Sequence, residues 1–359
     1  MAKRPTLRDV SEAANVSVFT VSRAMNGGTG VSETTRAHVR QIAADLGYIP
    51  NQLARGLKGG ATRTVGVLTA NTNNLYYATL IGALERTLQT RGFHCLVMDA
   101  VLDGVYRTDR EDVFVEELLQ HQVRAVVLTY RISDANMEVL RRHDIEMVFV
   151  DTLPPAQGPD APSVNSDNYV GSHRLGEHMV WHGYDGPWLF IGFTSSWTSR
   201  VPRERGFVDA AAAAGIAVDV VEGGNDTATA HGALISHLDA VAASGRPAPR
   251  VIFAGNELLL KGALVALHER GLRVPDDVAL VSYDDFDWAP FVAPPMTVVD
   301  QHIPLLGENA ARALLAGLGE ARPRTDGGIP IGTRIEVPST LVVRRSCGCT
   351  DTDPLEEER

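Results

Sequence analysis

The sequence predicts two fold classes joined in series: a small all-α headpiece, then a larger α/β core of two doubly wound parallel-sheet lobes. Three observations carry this. Residues 6–26 hold apolar positions at helical spacing on two short segments separated by a tight turn. From Thr64 onward, short apolar runs alternate with amphipathic helical stretches, the pattern of parallel strands covered by helices on both faces. About eleven such units exceed one sheet of ordinary size, which makes two lobes the simpler reading.

The headpiece begins at Thr6, a natural cap, with Asp9 three residues on in a near capping-box arrangement. Leu7, Val10, Ala13 and Ala14 share one face of the first helix. Asn15-Val16 turns the chain, and Ser17 caps a second helix running from Val18 to Met25. On it Val21, Ala24 and Met25 face the first helix, while Phe19, Ser22, Arg23 and Asn26 face outward. A Gly-rich loop leads to Ser32, which caps a third helix through Leu46, buried along Val39, Ile42, Ala43 and Leu46. The outward face of the second helix suits a major groove, with a helical hairpin packed elsewhere as the plainer alternative.

Charge separates the two parts. Residues 1–63 carry nine basic and four acidic side chains, a net +5, against −11 for the whole chain, so the remaining 296 residues sum to −16. A basic head on an acidic body places a polyanion contact at the head. Hydrophobic content of 44% is enough to fill the cores, and no stretch of about 18 apolar residues is present, so neither a signal peptide nor a membrane span is expected. Three cysteines, Cys95, Cys347 and Cys349, fit a reducing cytoplasm better than a disulfide framework.

Residues 50–63 read as a linker in which Leu53 and Leu57 give a short helix an apolar edge, weakened by Gly56 and stopped by Gly59-Gly60. In the core, strands are expected at Val65–Ala70, Cys95–Met98, Ala125–Thr129 and Met147–Asp151, then at Trp188–Ile191, Val218–Glu222, Val251–Ala254 and Val278–Ser282. Ligands of such sheets sit beyond the carboxyl ends of the strands, and two facing sheets put the pocket between them. The residues that follow strands are Tyr76-Tyr77, the segment Trp197 to Phe207 with Arg203, Asn256-Glu257, Tyr283-Asp284-Asp285 and Gln301. Rings that cover C–H faces, together with Arg, Asn, Asp and Gln, suit a polyhydroxylated ligand.

Catalytic and metal chemistry find little support. No Gly-x-Gly-x-x-Gly follows the first strand, and neither a Gly-Lys-Ser/Thr phosphate loop nor a Gly-x-Ser-x-Gly elbow occurs. Cys347-Gly348-Cys349 offers two metal ligands without evident partners, and His178 and His182, four apart with His173 nearby, read as a solvated helix face. No enzyme, cofactor or metal is expected.

Four separated runs, Val16–Arg23, Val31–Arg36, Gly47–Asn51 and Ala54–Lys58, resemble the headpiece and hinge of the lac-repressor (LacI/GalR) family of transcription regulators. The resemblance continues along nearly the whole chain. It implies a type I periplasmic-binding-protein core crossed three times by the chain, with lobe 1 at about 64–167 and 299–329 and lobe 2 at about 168–298 and 330–346. It implies a homodimer on a near-palindromic double-stranded operator, most simply a repressor released by its effector. DNA-contacting positions are then Thr6, Ser17, Val18, Phe19, Thr20, Ser22, Arg23 and Asn26 in the headpiece, with Asn51, Ala54, Arg55, Leu57 and Lys58 in the hinge, Leu57 as a minor-groove wedge. Effector positions are Tyr76, Tyr77, Arg203, Asn256, Asp284 and Gln301, with Trp197 as a stacking ring. Glu257 departs from the family's usual Asn-Asp pair, and Asn225-Asp226-Thr227 stands where some members place an aromatic, which favours a carbohydrate over a flat purine. Alternatives are a sugar-binding protein of transport or chemoreception without DNA function, and a sugar-modifying enzyme. The acidic stretch 347–359 lacks heptads and is expected to be disordered, so a dimer is preferred to a tetramer.

Overall fold

The computed structural model describes residues 5–26, 29–48, 62–72, 74–102, 105–106, 108–156, 160–194, 197–319 and 333–350. The expected hinge contacts Asn51, Ala54, Arg55, Leu57 and Lys58, and the stretch 351–359, lie outside these residues. The chain forms two compact units, Met1–Thr62 and Arg63–Arg359.

The first unit contains α1 (Leu7–Ala13), α2 (Val18–Asn26) and α3 (Glu33–Asp45). Each start is fixed by a short hydroxyl side chain. Thr6 and Asp9 close a capping box, Ser17 Oγ accepts from Thr20 N–H at 3.0 Å, and Ser32 Oγ accepts from Thr35 N–H at 3.2 Å. Asn15 takes the left-handed conformation at the turn between α1 and α2, which Asn tolerates. Val10, Ala14, Val21, Ala24, Val39 and Ala43 make the small core where the three helices meet. The Arg36 guanidinium ties α3 to the end of α2 by donating to the carbonyls of Arg23 and Ala24, each at 3.3 Å.

The second unit holds two six-stranded sheets. The first uses β1 (Thr64–Thr69), β2 (His94–Asp99), β5 (Ala125–Leu128), β6 (Glu146–Val150), β7 (Ser163–Ser166) and β13 (Arg334–Val337), in the order β13-β7-β6-β5-β1-β2, all parallel. A short hairpin of β3 (Val101–Leu102) and β4 (Val105–Tyr106) lies beyond β2 in the chain. The second sheet uses β8 (Trp188–Gly192), β9 (Val218–Glu222), β10 (Val251–Ala254), β11 (Ala279–Tyr283), β12 (Thr297–Asp300) and β14 (Thr340–Val342), in the order β14-β12-β11-β10-β8-β9, parallel except at β14. Central strands are buried on both faces, which is why they read as unbroken apolar runs: Val65, Val67, Leu68, Val126, Leu128, Ile252 and Val281 are all inaccessible or nearly so.

Helices α4 (Leu75–Gln89), α5 (Thr108–Gln120) and α6 (Asp134–Arg142) belong to the first lobe. The second has α7 (Asn168–Trp181), α8 (Arg200–Ala213), α9 (Thr227–Ser244) and α10 (Glu257–Glu269). After β12, α11 (Ile303–Gly317) returns to the first lobe and packs along α4. The approach is close: a Cβ on Gly307 would lie 2.4 Å from the Leu80 carbonyl oxygen. The chain thus passes between the sheets three times, after β7, after β12 and after β13.

The lobe boundary differs from expectation in one place. Residues 330–346 were expected in lobe 2, but Arg334–Val337 pairs with Ser163–Ser166 and extends the first sheet; only Thr340–Val342 joins the second. Strand periodicity does not specify which sheet edge a short strand joins, and Pro338 ends β13 just before the passage. The partner strand β7 was also missed, because Ser163-Val-Asn-Ser166 has no apolar run. Among the described residues no helix is long and apolar enough to cross a membrane.

Candidate functional site

In the headpiece the outward face of α2 carries the expected side chains. Phe19 is 62% exposed and Val18 46%, while Val21 and Ala24 are buried beneath them. The Arg23 guanidinium lies over the Phe19 ring, 4.3 Å from its centroid. Stacking of this kind orders a long cation without using its donors. Ser17, Thr6 and Arg23 are exposed, Thr20 and Ser22 half-buried, and Asn26 is the last residue of α2.

In the body, a cleft lies between the sheets, with a cavity of about 50 Å³ at its centre. Its walls are the ends of strands. Ala70 and Asn71 follow β1, Asp151 follows β6, Phe193 follows β8, Asn256 follows β10, Asp284 follows β11 and Gln301 follows β12. All seven positions proposed from the sequence, Tyr76, Tyr77, Trp197, Arg203, Asn256, Asp284 and Gln301, line this one cavity.

Arg203 is its electrostatic centre. It is 2% exposed, donates from Nε to Asn168 Oδ1 at 2.7 Å and from Nη1 to the Gly255 carbonyl at 2.9 Å, and lies 3.8 Å from the centroid of the Tyr283 ring. Its neighbours are excluded from this role: Arg200 pairs with Glu204 at 3.1 Å, and exposed Arg205 with Asp209 at 3.4 Å. Across the cleft, Asp151 Oδ1 stands 3.7 Å from Arg203 Nη2, close enough for attraction and too far for a hydrogen bond. Both atoms are buried without a hydrogen-bond partner, as are Tyr76 Oη and Gln301 Oε1. These four polar atoms, two from each lobe, are donors and acceptors set around one cavity.

Asp284 occupies a left-handed backbone conformation (φ 79°), rare for a non-glycine residue and a form of strain that collects at binding sites. Its Oδ1 accepts from Gln301 Nε2. Burial pushes the Asp284 carboxyl up to about 7, against the opposing pull of Arg203 and of Gln301. Burial likewise raises Asp151, with Arg203 and Ser199 pulling it back. Asn256 caps α10 through Oδ1, which accepts from Leu259 N–H at 3.0 Å, and borders the cavity. Glu257, the departure from the usual pair, does not line the cavity; it is buried and accepts from Trp288 Nε1 at 2.8 Å and pairs with Lys261 at 2.7 Å.

Sequence reasoning missed Asp151, Asn71, Asn74, Phe193 and Asn225, which also line the cleft. Asp151 and Phe193 follow strands directly, so the strand-end rule applied to every strand finds them. Asn225, in the segment noted for lacking an aromatic, accepts from Trp197 Nε1 at 3.0 Å when its amide oxygen is turned toward that ring. It fixes Trp197 instead of replacing a ring. A further correction concerns residues judged to lack partners. Cys347 and Cys349 meet His178 and His182, with the four ligand atoms within 4.8 Å of one another. The helix face was not a solvated one: His178 is 4% exposed.

Comparison with known proteins agrees with both halves. Residues 6–51 match the family described as bacterial regulatory proteins, lacI family, and residues 177–347 match the periplasmic binding protein-like domain. The chain is 29% identical over 315 residues to the HTH-type transcriptional repressor PurR of Vibrio campbellii (strain ATCC BAA-1116), spanning 86% of this chain and 91% of that protein. It is 28% identical over 361 residues to the HTH-type transcriptional regulator DegA of Bacillus subtilis (strain 168), spanning 98% and 99%. Among solved structures, the lac repressor dimer bound to operator and the anti-inducer ONPF superposes with a TM-score of 0.78 at 25% identity, covering 96% of this chain and 99% of that one. A complex of the transcriptional regulator CelR with cellobiose superposes at 0.68 with 27% identity, covering 96% and 100%. From its capped helical headpiece to its two facing sheets, the chain belongs to the LacI family of bacterial transcription regulators.

Proposed function

We propose that this protein is a cytoplasmic repressor that binds a near-palindromic operator as a homodimer and changes its operator affinity when a carbohydrate occupies the cleft. The observation that carries the ligand class is the set of unpaired buried polar atoms, Arg203 Nη2, Asp151 Oδ1, Tyr76 Oη and Gln301 Oε1, surrounding a cavity that also holds the Trp197 and Phe193 rings. A sugar hydroxyl that donates to Asp151 and accepts from Arg203 bridges the 3.7 Å gap between the lobes. Rings cover the apolar faces of the same ligand. A relative of 27% identity holds cellobiose, in keeping with this class. DNA contact rests with α2 and its cap, where Ser17, Val18, Phe19, Ser22 and Arg23 read base edges and Arg23 is the side chain suited to a guanine. The hinge residues Asn51, Ala54, Arg55, Leu57 and Lys58 continue that contact into the minor groove.

Control follows from differential binding. Ligand contacts made with both lobes favour the closed body, and only ligand affinity that differs between body conformations shifts operator affinity. The test is a thermal-shift screen of the full chain against monosaccharides, disaccharides and nucleosides, followed by a gel shift on selected duplex with each ligand found. A sugar that raises the thermal midpoint and weakens operator binding is the expected result. A nucleoside ligand would overturn the carbohydrate assignment, and absence of any sequence preference would overturn the regulator.

A further inference from the structure

We propose that this protein carries a structural zinc site built from His178, His182, Cys347 and Cys349, on the side of lobe 2 remote from the cleft. The closest ligand pairs have about the spacing of one tetrahedral shell, and the set as a whole is slightly wider. Zinc–sulfur bonds of about 2.3 Å and zinc–nitrogen bonds of about 2.05 Å at tetrahedral angles put neighbouring ligand atoms about 3.3–3.8 Å apart. Here His178 Nε2 is 3.3 Å from Cys347 Sγ and 3.7 Å from Cys349 Sγ, and His182 Nε2 is 3.2 Å from Cys349 Sγ. All four atoms fall within 4.8 Å of one another. Two thiols and two imidazoles are the donor set of closed, structural zinc sites and leave no position for a substrate.

The chain is shaped to bring these groups together. His178 and His182 are one helical turn apart at the end of α7, so their rings project to the same side. Cys347-Gly-Cys349 is a tighter pair than the usual two-to-four-residue spacing, and it works because Gly348 takes φ 101°. A Cβ there would also lie 2.5 Å from Tyr184 Oη, which donates to the Cys347 carbonyl at 3.0 Å. The surroundings orient the ligands as outer-shell groups do: Thr297 Oγ1 donates to Cys347 Sγ at 3.0 Å, and the Trp181 ring lies against His178 at a centroid distance of 5.9 Å. His178 and Cys347 are buried, and Cys347 belongs to the aromatic core with Trp188, Phe207 and Phe253.

Position gives the role. Ser346 accepts from Leu280 N–H through its carbonyl and from Thr297 N–H through Oγ, at the beginnings of β11 and β12, whereas the cleft lies at the ends of the same strands. A metal here joins residues 169 apart in sequence and closes the segment after β14 onto α7. It acts on the stability of lobe 2 and leaves effector and operator contacts untouched.

The test uses the untagged full chain, kept reduced, loaded with Zn²⁺ or Co²⁺ and passed through a desalting column. One zinc is retained per chain by elemental analysis. The Co²⁺ form shows the visible d–d bands of a tetrahedral ion and a sulfur-to-cobalt charge-transfer band. Saturating Zn²⁺ raises the thermal midpoint by about 5 °C or more. Cys349→Ser and His182→Gln, at half-buried positions, each lose the retained metal and this rise while keeping the wild-type circular dichroism and operator binding. Two results would overturn the site. One is a wild-type chain that retains no metal and shows no change of midpoint; the other is a Cys349→Ser chain that holds zinc as tightly as wild type, which places the ion elsewhere.

Discussion

Replacing Arg203 by Met tests whether the cleft is held as an electrostatic unit. Met keeps much of the length and apolar contact of the side chain while deleting the charge and its donors. Two charge-assisted hydrogen bonds disappear, to Asn168 Oδ1 and the Gly255 carbonyl, each worth about 1.5–3 kcal/mol. Asp151 and Asp284 lose their cationic neighbour while remaining 8% and 3% exposed. Breaking a buried charge set by removing one partner costs about 3–5 kcal/mol, since the remaining charge stays desolvated. At about 2 °C or more per kcal/mol, the thermal midpoint of the body falls by roughly 6–10 °C. The cycle is completed with Asp151→Asn and the double variant, measured by urea unfolding at neutral pH. The double variant is expected to recover about 1–3 kcal/mol relative to the sum of the singles, because it no longer strands a carboxylate. A single Arg203→Met cost under about 1 kcal/mol, or strict additivity with Asp151→Asn, would refute the electrostatic account of the cleft.

Other perturbations have distinct signatures. Arg23→Ala should weaken operator binding by about 1–3 kcal/mol and relax preference at one base pair, read by competition gel shifts with single-base operator variants. Phe19→Ala removes the ring beneath Arg23 and should cost about 0.5–1 kcal/mol of the same binding even at operators whose bases it does not touch. Asp284→Asn should leave operator binding intact and abolish the effector response; loss of both together would signal misfolding. The same variant carries a pH test. Since the folded pKa of Asp284 is raised from 3.8 to about 7, its contribution to stability is present below about pH 4 and lost as pH rises through 7. Asp284→Asn lacks that loss, so between pH 5 and pH 7 its stability relative to wild type should rise by about 2–3 kcal/mol in urea titrations. Gly307→Ala should destabilise the body by about 2 kcal/mol or more, because its new methyl meets the Leu80 carbonyl of α4.

Much of this was legible in the residues. Unbroken apolar runs such as Val65–Leu68 and Val251–Ala254 announce strands buried on both faces, and the hydroxyl caps Thr6, Ser17 and Ser32 announce the headpiece helices. The strand-end rule gathered seven cleft positions because parallel sheets send all their carboxyl ends one way. What escaped was either polar in an apolar role or long-range in origin. Ser163–Ser166 is a strand without strand composition, placed by its neighbours β6 and β13. Asp151 sits at the end of a recognised strand and reads as a simple terminator until Arg203 faces it from the other lobe. The His178/His182 and Cys347/Cys349 pairs are each half of a constellation, and only the return of the chain after β14 makes them one.

The three passages between the sheets lie side by side and are laced to one another. Asp167 N–H donates to the Val337 carbonyl at 3.1 Å, Ser339 N–H donates to Asp167 Oδ1 at 2.8 Å, and His302 Nε2 shares a hydrogen bond of 2.9 Å with Thr340 Oγ1. Three tethers bonded to one another hold the two lobes more tightly than a single linker would. The two halves of the body are therefore tied at three adjacent points of the chain, so the cleft between them is framed by a bonded rim and not by loose connections.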